Sequence, residues 1–229
     1  MLTSQQAARM IDISAVRTQH SRRDIEQVVS YAKRYHFINV HALPVWVRLL
    51  SEMLADSPDI YVGAPVGFPS GGHKTAVKLL EAEQLIADGV QEMDIVMNVG
   101  KFKDRAYGYV QRELEQVIAL AGDTVLTKVI LEINVLDDAE MLDACRLVMD
   151  TGASFVKTGT GWVPGGANID RIRKIKELCG ARIKVKAAGG IRTPDDFLAL
   201  ADMGVERMGI NTKSAIEIVT ALQTPPGTR

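Results

Sequence analysis

Short apolar runs alternate with longer amphipathic stretches along the chain, and the alternation repeats eight times. The short runs predict strands at Met10–Ile13, Phe37–His41, Ile60–Val66, Glu92–Met97, Thr127–Ile133, Ser154–Lys157, Arg182–Ala187 and Arg207–Ile210. Between them, apolar positions recur at helical spacing. Val110, Leu114, Val117, Ile118 and Ala121 fall on one stripe of a helix, and Ile25, Val28, Val29 and Ala32 form another nearer the amino terminus. Helix starts are marked by Ser21 with Asp24, and by Thr193-Pro194-Asp195-Asp196, where a cap, a first-turn proline and two acids coincide. Gly89, Gly152, Gly180 and Gly204 stand where helices should stop.

Strands alternating with helices imply parallel pairing through right-handed crossovers. Eight such units in 229 residues are enough to close an α/β single-domain (β/α)8 TIM barrel over residues 1–229. A doubly wound open sheet is the structural alternative. Composition narrows the partners: 27 Lys+Arg against 28 Asp+Glu gives a net charge of -1, without the concentrated basic face that nucleic acid requires. The start, MLTSQQAARM, lacks an apolar signal core, and no run approaches the roughly 18 apolar residues of a membrane span. Cys145 and Cys179 lie in helical patterns and make neither a disulfide framework nor a CxxC metal site. A reduced, cytoplasmic protein with no membrane or nucleic-acid partner is expected.

In either architecture, function gathers at the carboxyl ends of the strands. Asp12, His41, Asp94, Glu132, Lys157 and Lys186 all end, or nearly end, an apolar run. Lys157 follows Phe155 and Val156 and precedes a glycine-rich turn; a lysine in a buried strand is normally paired or functional, and a second cation nearby makes it a better amine nucleophile. Two-residue periodicity turns Glu92 with Asp94, Lys128 with Ile130 and Glu132, Phe155 with Lys157, and Lys184 with Lys186 toward the barrel interior. That interior holds three acids against four lysines. Buried charges persist when paired, so one lysine is expected to be neutral, and Lys157 beside a charged Lys186 is the one expected.

The glycine motifs divide. Gly67-Phe68-Pro69-Ser70-Gly71-Gly72-His73-Lys74-Thr75 nearly spells a nucleotide-binding loop, but His73 breaks the spacing that lets lysine reach the phosphates. Gly159-Thr160-Gly161 lacks the third glycine of a dinucleotide fingerprint. Gly189-Gly190 after the seventh strand and Gly209-Ile210-Asn211-Thr212 at the eighth fit the phosphate site that barrels characteristically build there.

At these residues the sequence resembles deoxyribose-phosphate aldolases of the class I, Schiff-base type. The resemblance rests on VGFPSGG at Val66–Gly72, EMDIVMNVG at Glu92–Gly100, TKVILE at Thr127–Glu132, FVKTGTG at Phe155–Gly161, KAAGGIRT at Lys186–Thr193 and RMGINT at Arg207–Thr212. It implies cleavage of 2-deoxy-D-ribose 5-phosphate to acetaldehyde and D-glyceraldehyde 3-phosphate, with no cofactor or metal and with a homodimeric assembly. It also implies Lys157 as the Schiff-base lysine, Lys186 as the lysine that depresses its pKa, and Asp94, acting with a water, as the carboxylate of the proton relay. Asp12, His41 and Lys128 are expected beside the substrate. Gly161, Gly189, Gly190, Gly209, Asn211 and Thr212 are expected to hold its phosphate.

The chain departs from the family pattern at several positions. Asp12-Ile13-Ser14-Ala15-Val16 replaces a threonine-containing segment, His41 stands in place of cysteine, Trp162 in place of a smaller or basic residue, Asn211-Thr212 in place of a serine-rich pair, and Lys184 in place of glycine. Trp162 could reduce the pocket or stack on a ligand. His41 reads as a hydrogen-bonded pocket residue, with a second acid/base role as the other reading. Two other functions stay open: a Schiff-base aldolase for another sugar phosphate or aldehyde, and a noncatalytic sugar-phosphate-binding barrel. A barrel isomerase or other lyase working through carboxylates would have no need of two lysines.

Overall fold

The computed structural model describes residues 2–223. Eight strands form a closed barrel in chain order: β1 Ile11–Ala15, β2 Asn39–Ala42, β3 Tyr61–Val66, β4 Glu92–Val96, β5 Leu126–Ile130, β6 Phe155–Lys157, β7 Lys184–Ala188 and β8 Arg207–Asn211. Every neighbouring pair is parallel, and β8 returns to β1 through the register Asp12 to Gly209. Closure removes every sheet edge and settles the choice against an open sheet.

The alternation along each strand sorts residues into two environments. One set, including Ile13, Val40, Val62, Met93, Val129, Val156, Val185 and Met208, belongs to the continuous apolar core between barrel and helices. The helix Arg22–Tyr35 contributes Ile25, Val28, Val29 and Ala32 to that core, and Tyr107–Ala121 contributes Val110, Leu114, Val117 and Ala121, with Ile118 only partly buried. The first of these helices opens where Ser21 N and Oγ both donate to Asp24. At Thr193, the backbone N–H donates to Asp196 while the hydroxyl accepts from Asp196 N, starting the helix Pro194–Asp202. Among the described residues no helix is long and apolar enough to cross a membrane.

The other set fills the barrel with charge: Asp12, Asn39, His41, Glu92, Asp94, Lys128, Lys157, Lys186 and Arg207 are all buried. Two expectations about this interior fail. The fifth strand ends at Ile130 rather than Ile133, because Glu132 takes a left-handed backbone with φ 57 and Ile133–Val135 wind into a 3-10 turn. Glu132 therefore leaves the barrel axis and instead accepts hydrogen bonds from the Thr160 amide and hydroxyl. Lys184 has the right parity but opens β7, so it is exposed at the amino rim, its ammonium 5.6 Å from the Phe155 ring centroid.

Candidate active site

The interior charges form two connected tiers. In the lower one, toward the amino ends of the strands, Glu92 accepts from Lys128 Nζ at 2.5 Å, Arg207 at 2.7 Å and Asn39 Nδ2 at 2.9 Å. In the upper one, Asp94 Oδ2 accepts from Lys157 Nζ at 2.7 Å and Lys186 Nζ at 2.8 Å, and His41 Nε2 lies 3.1 Å from the same oxygen. Asp12 links the tiers, with Oδ2 2.5 Å from Lys186 Nζ and Oδ1 accepting from Arg207 at 2.5 Å. The register explains the meeting: Asp94 pairs with Lys128, Lys157 with Lys186, and Lys186 with Arg207 across adjacent strands.

These contacts still set three carboxylates against four cationic side chains, but the membership differs from the sequence expectation. Asp12 and Arg207 take the places of Glu132 and Lys184. Burial pushes the Lys157 amine down, Asp94 pushes it back up, and Lys186 with Lys128 lowers it again; the balance falls at about 8, from 10.5. For Lys128, burial also lowers the pKa, but Asp94, Glu92 and Asp12 more than compensate and raise it above the ordinary lysine range. Burial raises Asp94, yet His41, Lys157, Lys186 and Lys128 hold it well below the usual carboxylate range. Burial is the main reason that His41 is lowered to about 4.

A cavity of about 370 Å³ opens at the carboxyl ends of the strands. Asp12, His41, Lys157 and Lys186 lie in its wall, together with Gly161, Gly189, Gly190, Gly209, Asn211 and Thr212. Ten of the expected site residues thus share one cavity. Asp94 and Lys128 do not line it: both are fully buried, Asp94 behind Lys157, Lys186 and His41, and Lys128 beneath Asp94.

The glycine loops on this side are in direct contact. A Cβ on Gly190 would stand 3.0 Å from Gly166 Cα, so the loops after β6 and β7 touch through backbone alone. The amides of Gly161, Gly189 and Gly190 have no acceptor among the described residues. Asn211 caps the helix Thr212–Ala221, its Oδ1 accepting from Ser214 N.

Sequence reasoning missed several polar neighbours. Arg207 and Asn39 were legible by counting two residues back from Gly209 and from His41. Arg17, His20 and Arg192, which line the outer cavity from loops, carry no periodic signal. Trp162 does not itself line the cavity. Its indole donates to Val16 O at 3.2 Å, its ring lies 5.3 Å from the Arg17 guanidinium and 5.5 Å from Phe68, and Arg17 donates to Gly161 O at 3.0 Å. These contacts tie three loops together across the cavity mouth.

Comparison with known proteins agrees with the barrel fold. The model of the family described as "DeoC/LacD family aldolase" matches residues 15–211. The deoxyribose-phosphate aldolase of Rhizobium meliloti (strain 1021) is 40% identical over 228 residues, covering 100% of this chain and 92% of the relative. That of Klebsiella pneumoniae subsp. pneumoniae is 38% identical over 226 residues, covering 98% and 90%. Among solved structures, the aldolase QR15 superposes with a TM-score of 0.88 at 33% identity, covering 94% of this chain and 95% of that one. The tetrameric deoxyribose phosphate aldolase of Aeropyrum pernix gives 0.88 at 26% identity, covering 98% and 94%. With a family match running from β1 to β8 and relatives of this identity along its whole length, the chain belongs to the DeoC/LacD family of aldolases.

Proposed function

We propose that this chain cleaves 2-deoxy-D-ribose 5-phosphate to acetaldehyde and D-glyceraldehyde 3-phosphate through a Schiff base on Lys157. The observation that carries the reading is the meeting of Lys157 and Lys186 on one oxygen of Asp94 at a cavity wall. A nucleophilic amine must be unprotonated. With its pKa near 8, about a tenth of Lys157 is free amine at pH 7, against about one part in three thousand for a lysine at 10.5. The amine adds to the substrate aldehyde and loses water to give an iminium. The iminium then accepts the electron pair of the breaking C–C bond, forming an enamine.

Lys186 remains the charged neighbour, held by Asp12 and Asp94. Asp94 sets the charge and orientation of the groups in front of it, so a proton leaving the substrate meets one of them first. The unpartnered glycine amides, Asn211 and Thr212 suit a phosphate, and Arg17 and Arg192 add positive charge at the open side. The buried free thiols of Cys145 and Cys179 support a reducing, cytoplasmic setting.

Borohydride reduction in the presence of acetaldehyde, followed by peptide mass mapping, tests the reading. The expected result is one reduced adduct on Lys157, and none in Lys157→Met. A folded protein that binds the sugar phosphate but carries no adduct contradicts it.

A further inference from the structure

His41 has its tautomer dictated from below. Asn39 Nδ2 donates to Glu92 Oε2 at 2.9 Å, so the part of Asn39 that faces Glu92 is the amide NH2. The Asn39 carbonyl Oδ1 then faces His41 Nδ1 at 2.5 Å. A carbonyl oxygen only accepts, so Nδ1 carries the hydrogen. In the neutral ring Nε2 is consequently a bare lone pair. It is buried without a hydrogen-bond donor, and its neighbour at 3.1 Å, Asp94 Oδ2, is another acceptor. Two acceptors facing each other mark the place for one mobile proton. Gly63 reserves the room: a Cβ there would lie 2.2 Å from His41 Nδ1.

The cavity wall offers no competing base among the described residues. Asp94 does not reach it. Each oxygen of Asp12 faces a cation, Lys186 or Arg207. His20 Nδ1 already accepts from the Arg17 amide at 3.2 Å. Lys157 is consumed as the iminium and Lys186 is a cation.

We propose that His41 Nε2 carries the proton between the substrate hydroxyl and the enamine carbon, with Asn39 as the positioning residue that fixes its tautomer. The inference rests on the Schiff-base reading of Lys157. As the C–C bond breaks, the hydroxyl O–H proton moves to Nε2, the oxygen becomes the carbonyl of the departing aldehyde, and the bond pair passes through the iminium to make the neutral enamine. The iminium charge is thereby transferred to the imidazolium, which faces the Asp94 carboxylate. The imidazolium then returns its proton to the enamine carbon, regenerating the iminium and the neutral ring. No external donor or oxidant enters.

Exchange of acetaldehyde methyl hydrogens with D2O isolates the carbon half of this transfer, and borohydride trapping reports imine formation independently. His41→Asn keeps a donor toward Asn39 and removes the base. Methyl exchange should fall about 100-fold or more, while trapping at Lys157 stays within about threefold. Trapping without loss of exchange overturns the role of His41; absence of trapping in the unmodified protein overturns the Schiff-base reading instead. Nitrogen-15 NMR of the unmodified protein at neutral pH should show His41 with a protonated Nδ1 and a bare Nε2, and Asn39→Ala should show mixed tautomers. A protonated Nε2 in the unmodified protein also overturns the proposal.

Discussion

Lys128 and Lys157 lie on adjacent strands of one barrel, both buried, and their pKa values move in opposite directions. Lys128 has Glu92 at 2.5 Å, Asp94 at 3.3 Å and Asp12 at 3.9 Å. Lys157 has one carboxylate oxygen at 2.7 Å and shares it with Lys186. Burial costs each ammonium, so what separates them is the supply of negative charge around it. Where acids outnumber the cation it becomes a structural strut; where cations crowd one acid, an amine is released for chemistry.

The comparison can be broken most severely at Lys157. Lys157→Met should lower aldehyde release by at least about a thousandfold while leaving the fold intact. It should not cost stability at pH 7. A lysine whose folded pKa is lowered makes folding less favourable once the pH falls below its unfolded value of 10.5, and fully so below about 8, so removing it lifts a penalty. Denaturant unfolding checks this, and a large destabilisation would show that Lys157 is a strut after all.

Lys128→Met should do the reverse. It removes the nearest cation from Glu92 Oε2 and the one that faces Asp94 Oδ1, and breaking these buried pairs should lower unfolding free energy by about 3–5 kcal/mol in a denaturant titration. The sign of its pH dependence also differs. The raised pKa of Lys128 contributes stability that is complete below 10.5 and is lost as pH climbs through the folded value.

Lys186→Met sharpens the contrast within the upper tier. Removing a cation that lowers the Lys157 pKa should move the acidic limb of the rate profile to higher pH and cut the rate at pH 7 by about 100-fold. The smallest effect is expected at the mouth. Trp162→Ala frees the Arg17 guanidinium, and steady-state kinetics should show KM for the phosphorylated substrate rising about 10-fold with kcat nearly unchanged.

The eightfold architecture was legible because strand and helix periods differ and recur without interruption. Parity also turned Glu92, Asp94, Lys128, Lys157 and Lys186 inward. Parity gives a face but not a height along the barrel. Lys184 was therefore placed inside when it sits at the rim, and Glu132 was counted on a strand that the left-handed turn had already ended. The expected excess of one cation survived because Asp12 and Arg207, which were not counted, replaced that pair. Arg17 and Arg192 reach the cavity from loops, whose geometry is set by long-range contacts such as the Arg17–Trp162 stack.

The pH dependence of acetaldehyde labelling at Lys157, trapped with cyanoborohydride and read by mass spectrometry, addresses the central claim most directly. A free amine produced by its surroundings should give labelling with a midpoint near 8. A midpoint near 10.5, the ordinary value for lysine, would contradict the account.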